Sequence, residues 1–253
     1  MRRYVALGSS MAAGPGILPR AKGAPFFAGR SARNYPHLVA DDLGLDLVDV
    51  TYSGATTDNV LTDPQPGAPA QIEAINGTED LVTVTIGGND VGYVPLLFAA
   101  GLPGFVRAVP LLGDRLTGQL DPAERDRALA AIADTLIRVG QTLRERAPEA
   151  RVLFVDYLTL LPSDGTPAPP FSDADLATGL HVAGELARAT AEAAAATGCE
   201  LVRAAEHSID HHAWSADPWT TRFGLPLPWR PAPLHPNAAG MRAVADLVVA
   251  QVS

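Results

Sequence analysis

Five short apolar runs recur along this chain, at Tyr4–Leu7, Leu45–Thr51, Leu81–Ile86, Arg151–Tyr157 and Cys199–Ala204. The stretches between them mostly carry helical spacing. Strand–helix alternation of this kind satisfies its backbone hydrogen bonds as a parallel sheet with helices on both faces. The best strand is Leu-Val-Thr-Val-Thr-Ile at 81–86, β-branched almost throughout. The expectation is an α/β fold with five strands. The length of 253 residues suits one large domain over 1–253.

Helix ends are marked by residue type. Asn34-Tyr35-Pro36 opens a helix through about Asp42, with proline in the first turn, and Gly44 ends it. Thr57–Leu61 reads as a helical turn and Ala68–Ile75 as a further helix closed by Asn76-Gly77. Asp121-Pro122-Ala123-Glu124 carries the signals of a capped start. Leu129, Ile132, Leu136, Val139 and Leu143 then form one apolar stripe that Pro148 closes off. Ser172 opens a long alanine-rich helix to about Thr197, and the last helix runs from Ala238 to Val249. Residues 94–120 are apolar but broken by proline and glycine. A flap, an acyl-chain wall or plain packing all fit that pattern.

Four polar clusters sit where strands end or a helix begins: Ser10, Gly54, Asn89 and His235. A parallel sheet brings such positions to its carboxyl edge, where ligands of open α/β sheets bind. Alone, Ser9 or Ser10 reads more often as a helix cap. Together the four supply what acyl transfer needs: a nucleophile, a base and oxyanion donors. Ser10 is the candidate nucleophile. His235 is the candidate base, since free imidazole titrates at about 6.5. The N–H groups of Ser10 and Gly54 and the Asn89 amide are the candidate oxyanion donors. Asp90 reads as a brace for the Asn89 turn.

These blocks resemble the SGNH hydrolases, the GDSL esterase and lipase family. Gly8-Ser9-Ser10-Met11, Ser53-Gly54-Ala55-Thr56, Gly87-Gly88-Asn89-Asp90 and His235-Pro236-Asn237 match its four blocks in order. Arg33-Asn34-Tyr35-Pro36 and the segment Ala213–Trp219 also fit. The resemblance implies a flavodoxin-like, doubly wound three-layer α/β/α fold. It implies a serine esterase or lipase acting on small-molecule or lipid esters, with no cofactor and no metal. The same machinery serves sugar O-acetyl esters and lysophospholipids, and a weakly catalytic binding module retains the fold.

Two positions depart from the family pattern. Its first block carries an acid where this chain has Ser9, so the local hydrogen bonding is expected to change. Its triad acid lies three residues before the histidine, where this chain has Ala232. A histidine base needs a partner on its other ring nitrogen. The expectation is a backbone carbonyl, that of Ala232 or a neighbour in its loop. Asp210 and Asp217 are the competing candidates.

With a formal net charge of −9, a nucleic-acid footprint is not expected. No apolar run approaches the roughly 18 residues of a membrane span. The lone Cys199 fits a reducing compartment and reads as buried rather than nucleophilic. With no signal peptide visible, a cytoplasmic protein is expected, without an obligate protein partner. His207, His211, His212 and Asp210 match no zinc spacing. His37 and His181 read as ordinary helix residues. Asn76-Gly77-Thr78 matches a glycosylation sequon and reads as a helix-ending turn.

Overall fold

The computed structural model describes residues 2–103, 122–227 and 229–253. Five parallel strands form one sheet: β1 Arg3–Gly8, β2 Asp46–Asp49, β3 Glu79–Thr85, β4 Arg151–Val155 and β5 Glu200–Val202. Their spatial order is β2-β1-β3-β4-β5, and helices cover both faces in an α/β/α sandwich. Val5 pairs with Val48 on one side and with Val82 on the other; Val82 in turn pairs with Val152.

Successive strand residues point to opposite faces, and the core divides accordingly. Val5, Leu7, Val82, Val84, Val152 and Phe154 face one apolar layer. This layer includes the long helices α5 Pro122–Arg146 and α6 Asp173–Thr197, numbered after α4 Tyr93–Gly101. Tyr4, Ala6, Leu81, Leu153 and Val155 face the other. There α2 Tyr35–Leu43 packs with the last helix, α8 Ala238–Val252, which follows the short α7 Ala204–His207 in the chain. Thr83 and Thr85 are buried polar residues of β3. The Tyr4 hydroxyl lies 2.7 Å from Thr83 Oγ1 and the Tyr35 hydroxyl 2.9 Å from Thr85 Oγ1. Burial pushes the Tyr35 phenol up to about 12, so it stays neutral.

The caps explain the helix boundaries. Asn34 accepts from His37 N–H at 3.2 Å, and Gly44 closes α2 in the left-handed conformation. Ser172 and Asp175 form a reciprocal capping box at the start of α6. Asn237 accepts from Gly240 N–H at 2.9 Å and so caps α8. The expected cap Asp121 lies outside the described residues, as does most of the broken stretch 94–120. Within that stretch, α4 buries Leu96, Leu97, Ala99 and Ala100 against the core.

One expected helix is corrected. Ala68–Ile75 gives only a 3-10 turn over Gln71–Ala74, because Ala70 is still extended after Pro69. Thr57–Leu61 does form a short helix, α3.

Leu136 is fully buried between helix and sheet. Leu136→Ala should lower unfolding free energy by about 2–5 kcal/mol in urea titration, with activity per folded molecule kept.

Candidate active site

The chain leaves β1 toward β2 on one side and returns to β3 on the other, so strand order reverses between β1 and β3. The crevice at that reversal, outside the carboxyl ends, is where such sheets bind ligands. Gly8 ends β1 with φ +143°, and a Cβ there would lie 2.5 Å from the Thr85 carbonyl oxygen. Only glycine fits. Its N–H donates to Gln71 Oε1 at 2.7 Å and its carbonyl accepts from Gln71 Nε2 at 3.1 Å. Tyr52 N–H also donates to that carbonyl, at 2.9 Å. The buried Gln71 amide thus stands in for a strand residue where β2 has already ended.

The turn delivers Ser9 and Ser10 to α1 Ser10–Ala13. Neither hydroxyl caps that helix, although Ser9 occupies the cap position. Ser10 Oγ lies 2.8 Å from His235 Nε2. His235 Nδ1 lies 2.7 Å from the Pro233 carbonyl oxygen. A carbonyl only accepts, so Nδ1 carries the proton. In neutral imidazole Nε2 is then the acceptor, and the Ser10 hydroxyl donates to it. Burial lowers the imidazole pKa below its ordinary value, and the Pro233 hydrogen bond opposes this only in part.

The carbonyl that meets His235 Nδ1 is thus that of Pro233, the neighbour of Ala232 in this loop. The Ala232 carbonyl instead accepts from Thr221 Oγ1 at 2.6 Å. Thr221 holds the loop in two further ways. Its N–H donates to the His235 carbonyl at 2.9 Å, and its carbonyl accepts from Leu234 N–H at 3.2 Å. Leu234 sits in the left-handed region at φ 59°, which turns the following imidazole toward Ser10. Ala232 N–H donates to the Pro15 carbonyl at 2.9 Å, tying this loop to the one after α1. Asp210 and Asp217 are both exposed. Asp217 meets His211, through its carbonyl at 2.7 Å and its carboxylate at 3.5 Å, and His211 stacks on Trp219. The buried His212 accepts from Trp214 N–H. Among the described residues no group of three or more His, Cys, Asp or Glu is arranged to hold a metal ion.

Gly54 follows β2 at φ +80°, which favours glycine, and nothing stands within 4 Å of where its Cβ would be. Asn89 follows β3, and its Nδ2 donates to the Ala55 carbonyl at 2.8 Å, leaving the second N–H of that amide over. Asp90 accepts from Thr57 N–H at 3.0 Å and from the Thr57 hydroxyl, at the start of α3. Burial raises the Asp90 pKa and these Thr57 bonds pull against it. The loops after β2 and β3 are thereby pinned to each other. Ser10 N–H, in the first turn of α1, has no intrahelical acceptor. The Asn89 bond to the Ala55 carbonyl sets that amide against the Gly54 loop.

Tyr157 joins the site unannounced by the sequence. Its hydroxyl accepts from Gly88 N–H at 3.0 Å and lies 3.0 Å from Ser9 Oγ. Its ring passes so close to Gly88 that a Cβ there would stand 2.3 Å from it. Burial pushes the phenol up to about 12. Ser9 stands at the sequence position where the family pattern has an acid, and Tyr157 is its hydrogen-bond partner.

A model of the GDSL-like lipase/acylhydrolase family matches residues 6–243. The chain belongs to this family. It is 34% identical to Lipase 2 of Streptomyces coelicolor over 96% of this chain and 83% of that protein. The crystal structure of an extracellular lipase from Streptomyces rimosus is 26% identical, with TM-score 0.80, covering 100% of this chain and 99% of that one. A phospholipase A1 from Streptomyces albidoflavus NA297 shares the fold at TM-score 0.80 and 24% identity, over 99% and 98% of the two chains. Family and relatives make this an ester hydrolase of the serine class. No helix among the described residues is long and apolar enough to cross a membrane.

Tyr157→Phe keeps the packing over Gly88 but strands its N–H and the Ser9 hydroxyl. Stability should fall by about 1–3 kcal/mol in denaturant titration, the cost of unpaired buried groups. A Ser9→Ala, Tyr157→Phe pair should cost less than the sum of the two single changes.

Proposed function

We propose that residues 1–253 form one catalytic domain that hydrolyses carboxylic esters through an acyl-enzyme on Ser10. The Ser10 oxygen bonds to the ester carbonyl carbon while His235 Nε2 takes its proton. The carbonyl oxygen becomes an oxyanion held by the N–H groups of Ser10 and Gly54 and by the Asn89 amide. The C–O bond to the alcohol then breaks, and Nε2 returns the proton to the leaving oxygen. Water repeats the sequence on the acyl group and frees Ser10. The observation that carries this reading is the chain of contacts Ser10 Oγ, His235 Nε2, His235 Nδ1 and Pro233 carbonyl, at 2.8 and 2.7 Å. It fixes the reactive tautomer without a carboxylate. The lipase relatives favour lipid or other acyl esters as substrates. The S. rimosus relative is extracellular, which weighs against the cytoplasmic setting expected from the sequence.

Ser10→Ala should abolish turnover of a p-nitrophenyl ester and labelling by a fluorophosphonate probe; retained turnover would refute the mechanism. Asp210→Asn and Asp217→Asn should each keep most activity. A loss on the order of a thousandfold in either, the scale of removing a triad acid, would assign the orienting role to that carboxylate instead.

The base works only when neutral, so kcat/KM should rise with pH through the His235 pKa and then level off. With that pKa lowered by burial, the midpoint of the rise should fall below about 6.5. A midpoint above the free-imidazole value would contradict the burial described for the ring.

A further inference from the structure

Among the described residues, seven large apolar side chains are exposed, and six of them stand on two loops. Leu18, Phe26 and Phe27 follow α1. Leu225, Leu227 and Trp229 precede His235. Their exposure runs from 44% at Leu18 to 77% at Leu225. Solvated apolar chains scattered singly are ordinary, but a cluster marks an interaction site.

Three observations place both loops at the mouth of the crevice. The Arg230 backbone packs onto Gly16, where a Cβ would lie 1.9 Å from the Arg230 carbonyl oxygen. Ala232 N–H donates to the Pro15 carbonyl. The Ala28 carbonyl, next to Phe27, accepts from both the N–H and the hydroxyl of Ser53, the neighbour of Gly54.

Charge separates these loops from the rest of the chain. The protein has 28 acidic residues and a net charge of −9. Yet residues 15–33 contain Arg20, Lys22, Arg30 and Arg33 and no acid, and residues 218–237 contain Arg222 and Arg230 and no acid. Arg20, Lys22 and Arg230 are exposed, and the Arg20 guanidinium stands 4.7 Å above the Phe26 ring. Apolar tips interleaved with cations fit a boundary where phosphate headgroups meet acyl chains. An exposed tryptophan ring suits that same depth.

We propose that these two loops form a docking surface for a phospholipid interface rich in anionic headgroups, which seats the mouth of the crevice on the lipid. The proposal rests on the Ser10–His235 reading only for what the docking serves; binding itself is measured without turnover.

The probe is a vesicle of diether phosphatidylcholine, with or without diether phosphatidylglycerol, whose ether links no esterase cleaves. The wild-type chain should co-sediment with the mixed vesicles, more weakly with phosphatidylcholine alone, and less as salt is added. Trp214 is buried and Trp219 is stacked on His211, so the emission shift on binding should belong to Trp229. Phe26→Ser with Phe27→Ser, and separately Trp229→Asn, whose new residue tolerates the left-handed backbone, should each weaken binding about tenfold or more. Turnover of a short, water-soluble ester should stay within about twofold in both. Ser10→Ala should bind vesicles as the wild type does. Vesicle binding unchanged in both surface variants would overturn the proposal. So would a wild-type dimer that the same variants split while vesicle binding persists, since the surface would then belong to a second copy. Absence of soluble-ester turnover in the wild type would count against the mechanism and leave the vesicle result standing.

Discussion

Where β1 stops, its backbone runs against that of β3 with no room for a side chain. Gly8 faces the Thr85 carbonyl on one side and the two-pronged Gln71 amide on the other. That fit lets the strand turn at once into α1, and it sets where Ser10 stands. The remaining parts of the site are measured from there. Tyr157 reaches across to Ser9 and to Gly88, so the turn after β1 and the turn after β3 share one phenol. Asn89 and Asp90 then fasten the loop after β2. Three strand ends become one frame, tied by hydrogen bonds between the turns that follow them, with one Asn89 N–H left over.

The histidine loop solves its problem differently. A carboxylate beside Nδ1 would fix the tautomer and also favour the imidazolium. The Pro233 carbonyl does the first and contributes little to the second. For the base proposed above, selecting the tautomer is the larger part of the task, since the wrong tautomer presents a proton where a lone pair is needed. Holding a carbonyl in place requires a stiff backbone, and this loop has one. Pro231 and Pro233 restrict it, Thr221 bonds it at several points, and Leu234 accepts a left-handed conformation.

Much of this was legible in the residues. Glycines at 8, 54, 87 and 88 marked the turns, and the β-branched run before Asn89 marked the central strand. Ser10 and His235 do meet, at 2.8 Å, and Asn89 fastens the turn after β3 to the Gly54 loop through the Ala55 carbonyl. The missed features share a physical cause: their partners lie far away in the chain. Gln71 reaches 63 residues back to Gly8, and Tyr157 reaches 148 back to Ser9. Neither has a local pattern to betray it. The sequence points to the carbonyl of Ala232 or of a neighbour in its loop, and the one against His235 Nδ1 is the neighbour's, that of Pro233. A loop has no period, and one left-handed residue decides which carbonyl faces the ring. The expected helix at 68–75 shrinks to the 3-10 turn Gln71–Ala74 because Ala70 is still extended and Ile75 is extended again.

The bond from Ala232 N–H to the Pro15 carbonyl joins segments more than two hundred residues apart in sequence. Together with the backbone contact of Arg230 on Gly16, it makes the two loops a single unit of local opening. Free energies of partial unfolding differ from region to region in a protein. Here the serine and the histidine belong to the same region, although one sits near each end of the chain. A fluctuation that detaches the histidine loop must also break the backbone anchor beside the serine. Amide exchange at Ala232 therefore reports on the integrity of the pair.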